Sequence, residues 1–162
     1  AGHELVGGTD NVVVTRTFSK AYGLAALRVG WAHCPPAMAA VLNRMRGIGN
    51  VNAIAQEAAV AALDDMDFVA RVRDETGRER RRMTAALAGL GLEIVPSVTN
   101  FVIARFPPGS HRAAAAAIAH LATRDIVVRG TEDYGLADHL RITIGLPAEN
   151  DRLIEGLASL HP

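Results

Sequence analysis

Among 17 basic side chains in the 162 residues, 16 are Arg and one is Lys, at position 20. A guanidinium keeps its charge at any physiological pH, whereas a lysine amine can lose its proton and condense with a carbonyl. A single Lys in an Arg-rich chain therefore points to amine chemistry. Its neighbours say what the amine would meet. The hydroxyl residues Thr15, Thr17 and Ser19 come just before it, and Arg28 and Gly30 follow. Two hydroxyls, an amine and a guanidinium close together suit an anionic group carried on an aldehyde. Thr17, Ser19 and Arg28 would grip a phosphate, the Arg through a bidentate fork, while Lys20 bonds the aldehyde carbon.

Several elements must hold this group in place. Asn11 to Val14 is a short β-branched run after GGTDN and reads as a buried strand of a parallel sheet. The hydroxyls then lie at its carboxyl end, where open α/β sheets bind ligands. Leu27 to Ala32 (LRVGWA) predicts a second strand, stopped by Pro35–Pro36. Trp31 reads as core or near-core, and Cys34 as a small buried hydrophobe. Pro36 opens a helix over 37–46 with Met38, Val41, Leu42 and Met45 on one face. Gly47 ends it, and RGIGN lacks the third glycine and preceding strand of a dinucleotide site. NAIAQEAAVAAL, 52–63, is apolar nearly all round and predicts a helix buried between other elements. Asp65 is placed to cap a long helix over 66–89. Its apolar stripe is Val69, Val72, Thr76, Met83 and Leu87, and Gly77 marks a possible bend. The run RERRR is interleaved with Asp74, Glu75 and Glu79, which predicts a solvated, ion-paired face.

The remainder has α+β character. Strands are expected at Leu92 to Val95, Asn100 to Phe106 and Ile126 to Arg129, with Ser110 capping a helix over 111–123. A polar loop, TEDYGLADH, leads to LRITIG. Alternation there sets Leu140, Ile142 and Ile144 on one face and Arg141 and Thr143 on the other. Taken alone, Arg141 is an arginine on the open face of an antiparallel sheet. Pro147 starts the last helix, with Glu149 and Asp151 at its positive end and Leu153, Ile154, Leu157 and Leu160 as its buried stripe.

The chain is 49% hydrophobic, 21% charged and formally neutral, an ordinary globular composition for one domain or two small lobes. Neutrality without a basic stripe and interleaved aromatics argues against nucleic acid. No apolar run is long enough for a membrane span. The opening AGHELVGG has neither part of a signal peptide. The lone Cys34 excludes an intrachain disulfide, which fits a reducing cytoplasm. Six histidines show no ligand spacing, so no metal site is expected.

The segment TFSKAYGLAALRVG closely resembles the cofactor-lysine segment of fold type I pyridoxal-phosphate enzymes, and more narrowly that of histidinol-phosphate aminotransferases. The resemblance covers essentially the whole chain. It implies an α/β fold: the carboxy-terminal part of a PLP-dependent transferase, with the end of the large-domain sheet in 1–64 and a linking helix plus small α+β domain in 65–162. It implies pyridoxal 5′-phosphate as cofactor, Lys20 as the lysine that carries it, Thr17 and Arg28 as phosphate ligands and Ser19 as a weaker one. Arg141 would clamp the substrate carboxylate, and Arg129 and Tyr134 would stand near the substrate's far end. The implied reaction is transamination between an amino acid or amino-alcohol phosphate and 2-oxoglutarate, in a cytoplasmic homodimer using amino-acid and 2-oxo-acid substrates. Two rivals share the Lys20 and Arg141 patterns: another amino-acid aminotransferase, and an amino-acid-phosphate decarboxylase. A non-catalytic dimerisation domain of the same fold is a third. Ring-nitrogen and ring-stacking partners are expected upstream of Ala1, in a longer protein.

Overall fold

A computed structural model of the chain describes residues 2–109 and 113–160. The chain forms two compact units, Ala1–Val72 and Arg73–Pro162, with the boundary inside one long helix.

In the first unit, strand β1 (Val14–Thr17) pairs with β2 (Gly30–His33) in an antiparallel ribbon, Thr17 opposite Gly30 and Arg16 opposite Trp31. The expected buried strand of a parallel sheet over Asn11–Val14 is therefore corrected among the described residues. The strand starts at Val14, runs through Thr15 and Thr17, and is mostly exposed. A parallel pair needs a crossover, usually a helix. The connection here holds a single 3-10 turn, Ala25–Leu27. For the same reason β2 starts later than LRVGWA suggested: Leu27 ends that turn and Arg28 is left-handed, at φ 53°. Trp31 is 48% exposed rather than core, because no layer covers the ribbon within this unit. Gly30 is required where it stands. A Cβ there would come within 2.5 Å of the Arg16 carbonyl.

Helix α1 (Pro36–Met45) begins at its proline, and α2 (Ala53–Asp64) is capped by Asn52, whose Oδ1 accepts from the Ala55 N–H at 2.8 Å. The unit's core is small: Phe18 and Val29 from the β1–β2 loop meet Ala55 and Ala59 of α2, flanked by Tyr22, Leu24 and Leu27. The apolar girdle of α2 is thus buried on one face alone. Ile54, Val60 and Leu63 are exposed, against the expectation of a helix enclosed all round. A full girdle permits burial on every side, but this unit supplies a packing partner on one.

Helix α3 (Met66–Gly89) has the expected bounds, with Asp65 Oδ1 accepting from the Phe68 N–H at 3.0 Å. In the second unit, β3 (Glu93–Val95), β4 (Phe101–Arg105), β5 (Arg129–Thr131) and β6 (Leu136–Thr143) form an antiparallel sheet in the order β3-β4-β6-β5. One sheet face buries Val102, Ala104, Leu140 and Ile142. It packs with Met83 and Leu87 of α3, Ala117 and Leu121 of α4 (Ala114–Ala122), and Leu153 and Leu157 of α5 (Pro147–Ala158). Each such Leu or Ile contributes about 1.5–3 kcal/mol by leaving water. Arg141 and Thr143 fall on the opposite face, as the alternation requires.

Two boundaries differ from the sequence reading. Residues 126–128 are not strand, and Gly130 pairs with Leu140 instead of ending the element, with a register shift before Thr131. The polar loop is also shorter than TEDYGLADH. A 3-10 turn, Glu132–Tyr134, and the left-handed Gly135 lead straight into β6. Residue 110 and the start of the helix expected from 111 lie outside the described residues; α4 is described from Ala114.

Candidate active site

The lysine loop is built by a nested set of local bonds. Phe18 N–H donates to the Val29 carbonyl at 3.2 Å, continuing the ribbon for one more step, and Leu24 N–H returns to the Phe18 carbonyl at 3.0 Å. The Phe18 and Tyr22 rings meet at 4.7 Å. This buries the loop's apolar residue inward and leaves the polar ones outward. A turn closed by Gly23 N–H on the Lys20 carbonyl, 2.9 Å, presents Lys20 at the surface of the unit.

Thr17 and Arg28 converge on one atom. The Thr17 hydroxyl donates to Ser19 Oγ at 2.8 Å, and Arg28 Nη1 donates to the same oxygen at 3.3 Å. Ser19 N–H in turn donates to Thr17 Oγ1 at 3.0 Å, and Arg28 Nη1 is braced on the Ala25 carbonyl at 2.7 Å. Ser19, ranked below its neighbours from sequence, is the hub of the cluster. The left-handed backbone of Arg28 is one of two such non-glycine positions among the described residues. Conformations of this kind cost about 1–3 kcal/mol and collect at functional sites. The cluster is rich in donors, with hydroxyl and guanidinium hydrogens crowded on the oxygen of the serine that precedes Lys20 in the chain. That donor set fits a phosphate carried by an aldehyde, whose oxygens would accept what Ser19 now takes.

The second set of predicted residues is assembled in the other unit. Arg141 of β6 lies directly opposite Arg129 of β5 and Ile103 of β4. Its guanidinium carbon stands 5.5 Å from the Phe101 ring centre, and that of Arg129 stands 5.7 Å from Tyr134. Arg129 Nη2 also donates to Tyr134 Oη at 3.4 Å. Like charges facing each other across strands are unfavourable. Among the described residues, neither guanidinium has a carboxylate within ion-pair distance. By contrast, Arg105 on the same sheet face is committed to Glu93 and Asp138, both at 3.3 Å. Those contacts raise its pKa, while the carboxyl of Asp138 is pulled down by its own backbone N–H and by Arg105.

Sequence reasoning missed three participants. Phe101 is the platform under Arg141. Thr131, buried, donates its hydroxyl to the carbonyls of Leu136 and His139 at 2.7 and 2.9 Å and pins the β5–β6 connection. Asn150, buried within a helix start otherwise read as solvated, carried no signal at all. Among the described residues, no group of three His, Cys, Asp or Glu side chains is placed to hold a metal, and no helix is long and apolar enough to cross a membrane.

These two clusters stand on a chain whose residues 2–157 match the model of the aminotransferase class I and II family. The chain belongs to that family. A histidinol-phosphate aminotransferase of Granulibacter bethesdensis is 48% identical over 156 residues, 96% of this chain and 42% of that protein. The crystal structure of histidinol-phosphate aminotransferase from Sinorhizobium meliloti in complex with pyridoxal-5′-phosphate superposes with a TM-score of 0.84 at 33% identity, over 93% of this chain and 41% of that one. L-threonine-O-3-phosphate decarboxylase from Porphyromonas gingivalis superposes at 0.79 with 27% identity, over 97% and 49%. The chain thus spans less than half the length of these proteins. Its fold is the mixed α/β arrangement of PLP-dependent aminotransferases over the matched part.

Proposed function

We propose that this chain forms the lysine-bearing and small-domain part of a PLP-dependent aminotransferase of the histidinol-phosphate type. The observation that carries the reading is the meeting of Thr17 and Arg28 on the Ser19 hydroxyl, one residue from the single lysine. Arg28, with Thr17 and Ser19, holds the cofactor phosphate and so fixes the aldehyde beside Lys20. Lys20 Nζ would hold the cofactor, and its neutral amine would be placed to take a proton from the substrate α-carbon. Bound pyridoxal phosphate supplies the electron sink for that deprotonation. Arg141 clamps the substrate carboxylate, and Arg129 on the neighbouring strand, its guanidinium braced by Tyr134, stands near the substrate's far end.

The acceptor in this reading is 2-oxoglutarate, and the working unit is a cytoplasmic homodimer. The exposed Ile54, Val60 and Leu63 of α2 are the apolar side chains that support a partner surface in this reading. The division into a part of the large domain, 1–64, and a linking helix with small domain, 65–162, belongs to the same proposal. The likeness to the P. gingivalis decarboxylase keeps one alternative, decarboxylation of an amino-acid phosphate on the same Lys20 and Arg141.

Borohydride reduction after incubation with PLP tests the lysine assignment. Peptide mass analysis should locate one pyridoxyl group, on Lys20, at modest yield. No label on Lys20, or label spread over other amines, would sink the reading. Assaying the complete protein against histidinol phosphate and threonine phosphate then decides the chemistry: amino-group loss to 2-oxoglutarate from the first supports transamination, and release of carbon dioxide from the second supports the alternative.

A further inference from the structure

Asn150 is 2% exposed and is one of two buried polar residues among those described. It sits in the first turn of α5, between two acidic residues, where an asparagine would ordinarily face water. Both amide hydrogens and the amide oxygen are used inward. Its Oδ1 accepts from the Gly145 N–H at 2.9 Å, and its Nδ2 donates to the Gly145 carbonyl at 3.0 Å and to Glu79 Oε2 at 2.8 Å. One amide therefore holds both backbone groups of a single glycine and ties them to helix α3. Glu79 is held in turn by the fork of Arg82, which reaches Asp151 and the Pro147 carbonyl as well. A Cβ at Gly145 would meet Glu149 Oε2 at 2.5 Å, so a side chain there would have to displace that carboxylate.

Gly145 lies at the end of the strand that bears Arg141, and that end is weakly paired. The β4–β6 ladder stops at Phe101 opposite Thr143. The β5–β6 ladder stops at Arg129 opposite Arg141 itself. Beyond Thr143 one backbone bond continues the sheet, Ile144 N–H to the Asn100 carbonyl at 2.9 Å. Arg141 thus stands two residues from the end of β6, beyond which one backbone bond continues the sheet, and the Asn150 amide closes that end.

We infer that Asn150, anchored by Glu79, is a positioning residue for Arg141: it holds the last residues of β6 against α3 so that the Arg141 fork keeps its aim over Phe101. It touches neither substrate nor cofactor. The inference rests on the reading of Arg141 as the anion clamp. Buried amides that grip backbone in this way act through geometry, and a small misplacement of a clamp is felt in binding before it is felt in folding.

The test uses the whole chain with inorganic phosphate as probe, followed through the Arg141 Nε resonance, which is identified by its absence in Arg141→Lys. Asn150→Ala should weaken phosphate binding about tenfold, the loss of roughly one hydrogen bond's worth of alignment. It should also speed hydrogen exchange at the Gly145 amide. Glu79→Ala, which leaves the Gly145 bonds but frees their anchor, should weaken binding about threefold, and it carries the test if Asn150→Ala does not fold. Unchanged phosphate affinity in a folded variant, even one of lower Tm, overturns the inference by making Asn150 merely structural. Absence of any Arg141 response in the unmodified chain overturns it too. Borohydride labelling of Lys20, run alongside, should be unaltered in Asn150→Ala and Glu79→Ala. Its failure in the unmodified chain would instead sink the cofactor reading and leave the Arg141 result standing.

Discussion

The two units differ in how much core stands behind their candidate site residues. The first holds the lysine and its donor cluster on a ribbon with four buried core residues, Phe18, Val29, Ala55 and Ala59, two of them alanines. It exposes Val41, Leu42, Met45, Ile48 and Ile54. The second closes a sheet with three helices over a core that includes Met83, Leu87, Phe106, Leu121, Leu140 and Ile142, all essentially without exposure. A reactive loop needs backbone in costly conformations, such as Arg28, and a surface left open for a ligand. A self-sufficient core needs neither. The contrast teaches where to look for each kind of mutational effect.

The largest effect should come from the smallest structural change. Lys20→Ala removes an exposed side chain, so Tm should move little, while in the proposed reading the complete protein loses both its covalent amine and its proton carrier. We expect kcat to fall by about 10^4-fold or more, with loss of the borohydride-trapped label. A residual activity near that of the unmodified protein would erase the distinction between the units. Leu140→Ala is the mirror case. It opens a cavity under the sheet and should cost about 2–5 kcal/mol in denaturant unfolding, with labelling of Lys20 preserved wherever the protein stays folded. Loss of labelling in a folded Leu140→Ala would show that the lysine loop draws its order from the second unit.

How far these features could be read in advance follows the same divide. Periodicity and capping located α3 to the residue, because Asp65 and a 24-residue amphipathic pattern are local signals. The alternation in LRITIG placed Leu140 and Ile142 in the core and Arg141 on the open face for the same reason. The donor cluster was legible as types and spacing, though not the central role of Ser19, which depends on how the turn folds Thr17 and Arg28 onto it. What failed depended on non-local context. A β-branched run does not disclose whether its partner is parallel, and β1 found an antiparallel one through a loop without a crossover helix. Trp31 and α2 carry core-like side chains, but burial needs a covering layer that sequence alone does not locate. Asn150 was invisible because a buried asparagine and a solvated one look alike until the glycine and glutamate it binds are known.

A middle-sized effect is expected in acid. The Glu79 carboxyl is held below its usual pKa, first by hydrogen bonding from Arg82 and then from Asn150. A carboxylate whose pKa is lower in the folded state contributes stability that is fully present above the unfolded value, about 4.3, and is lost as pH falls through the folded one. Glu79→Gln should therefore lower stability at neutral pH and flatten the acid limb of a stability-against-pH curve, the two proteins converging at low pH. A parallel offset at every pH would mean that the charge of Glu79 does not matter to the second unit.

The smallest effect tests the first unit's open surface. Ile54 is 74% exposed, on the helix whose sequence is apolar nearly all round. Removing an apolar group from a buried site would cost several kcal/mol, but here it leaves water on both sides of the folding equilibrium. Ile54→Ser in this chain should change unfolding stability by no more than about 0.5 kcal/mol beyond the modest propensity difference. The same substitution in the complete protein should instead weaken self-association, read by sedimentation at falling concentration, if α2 forms the partner surface. A large loss of stability in the chain alone would mean that α2 is already covered, and that the first unit is more self-contained than its small core suggests.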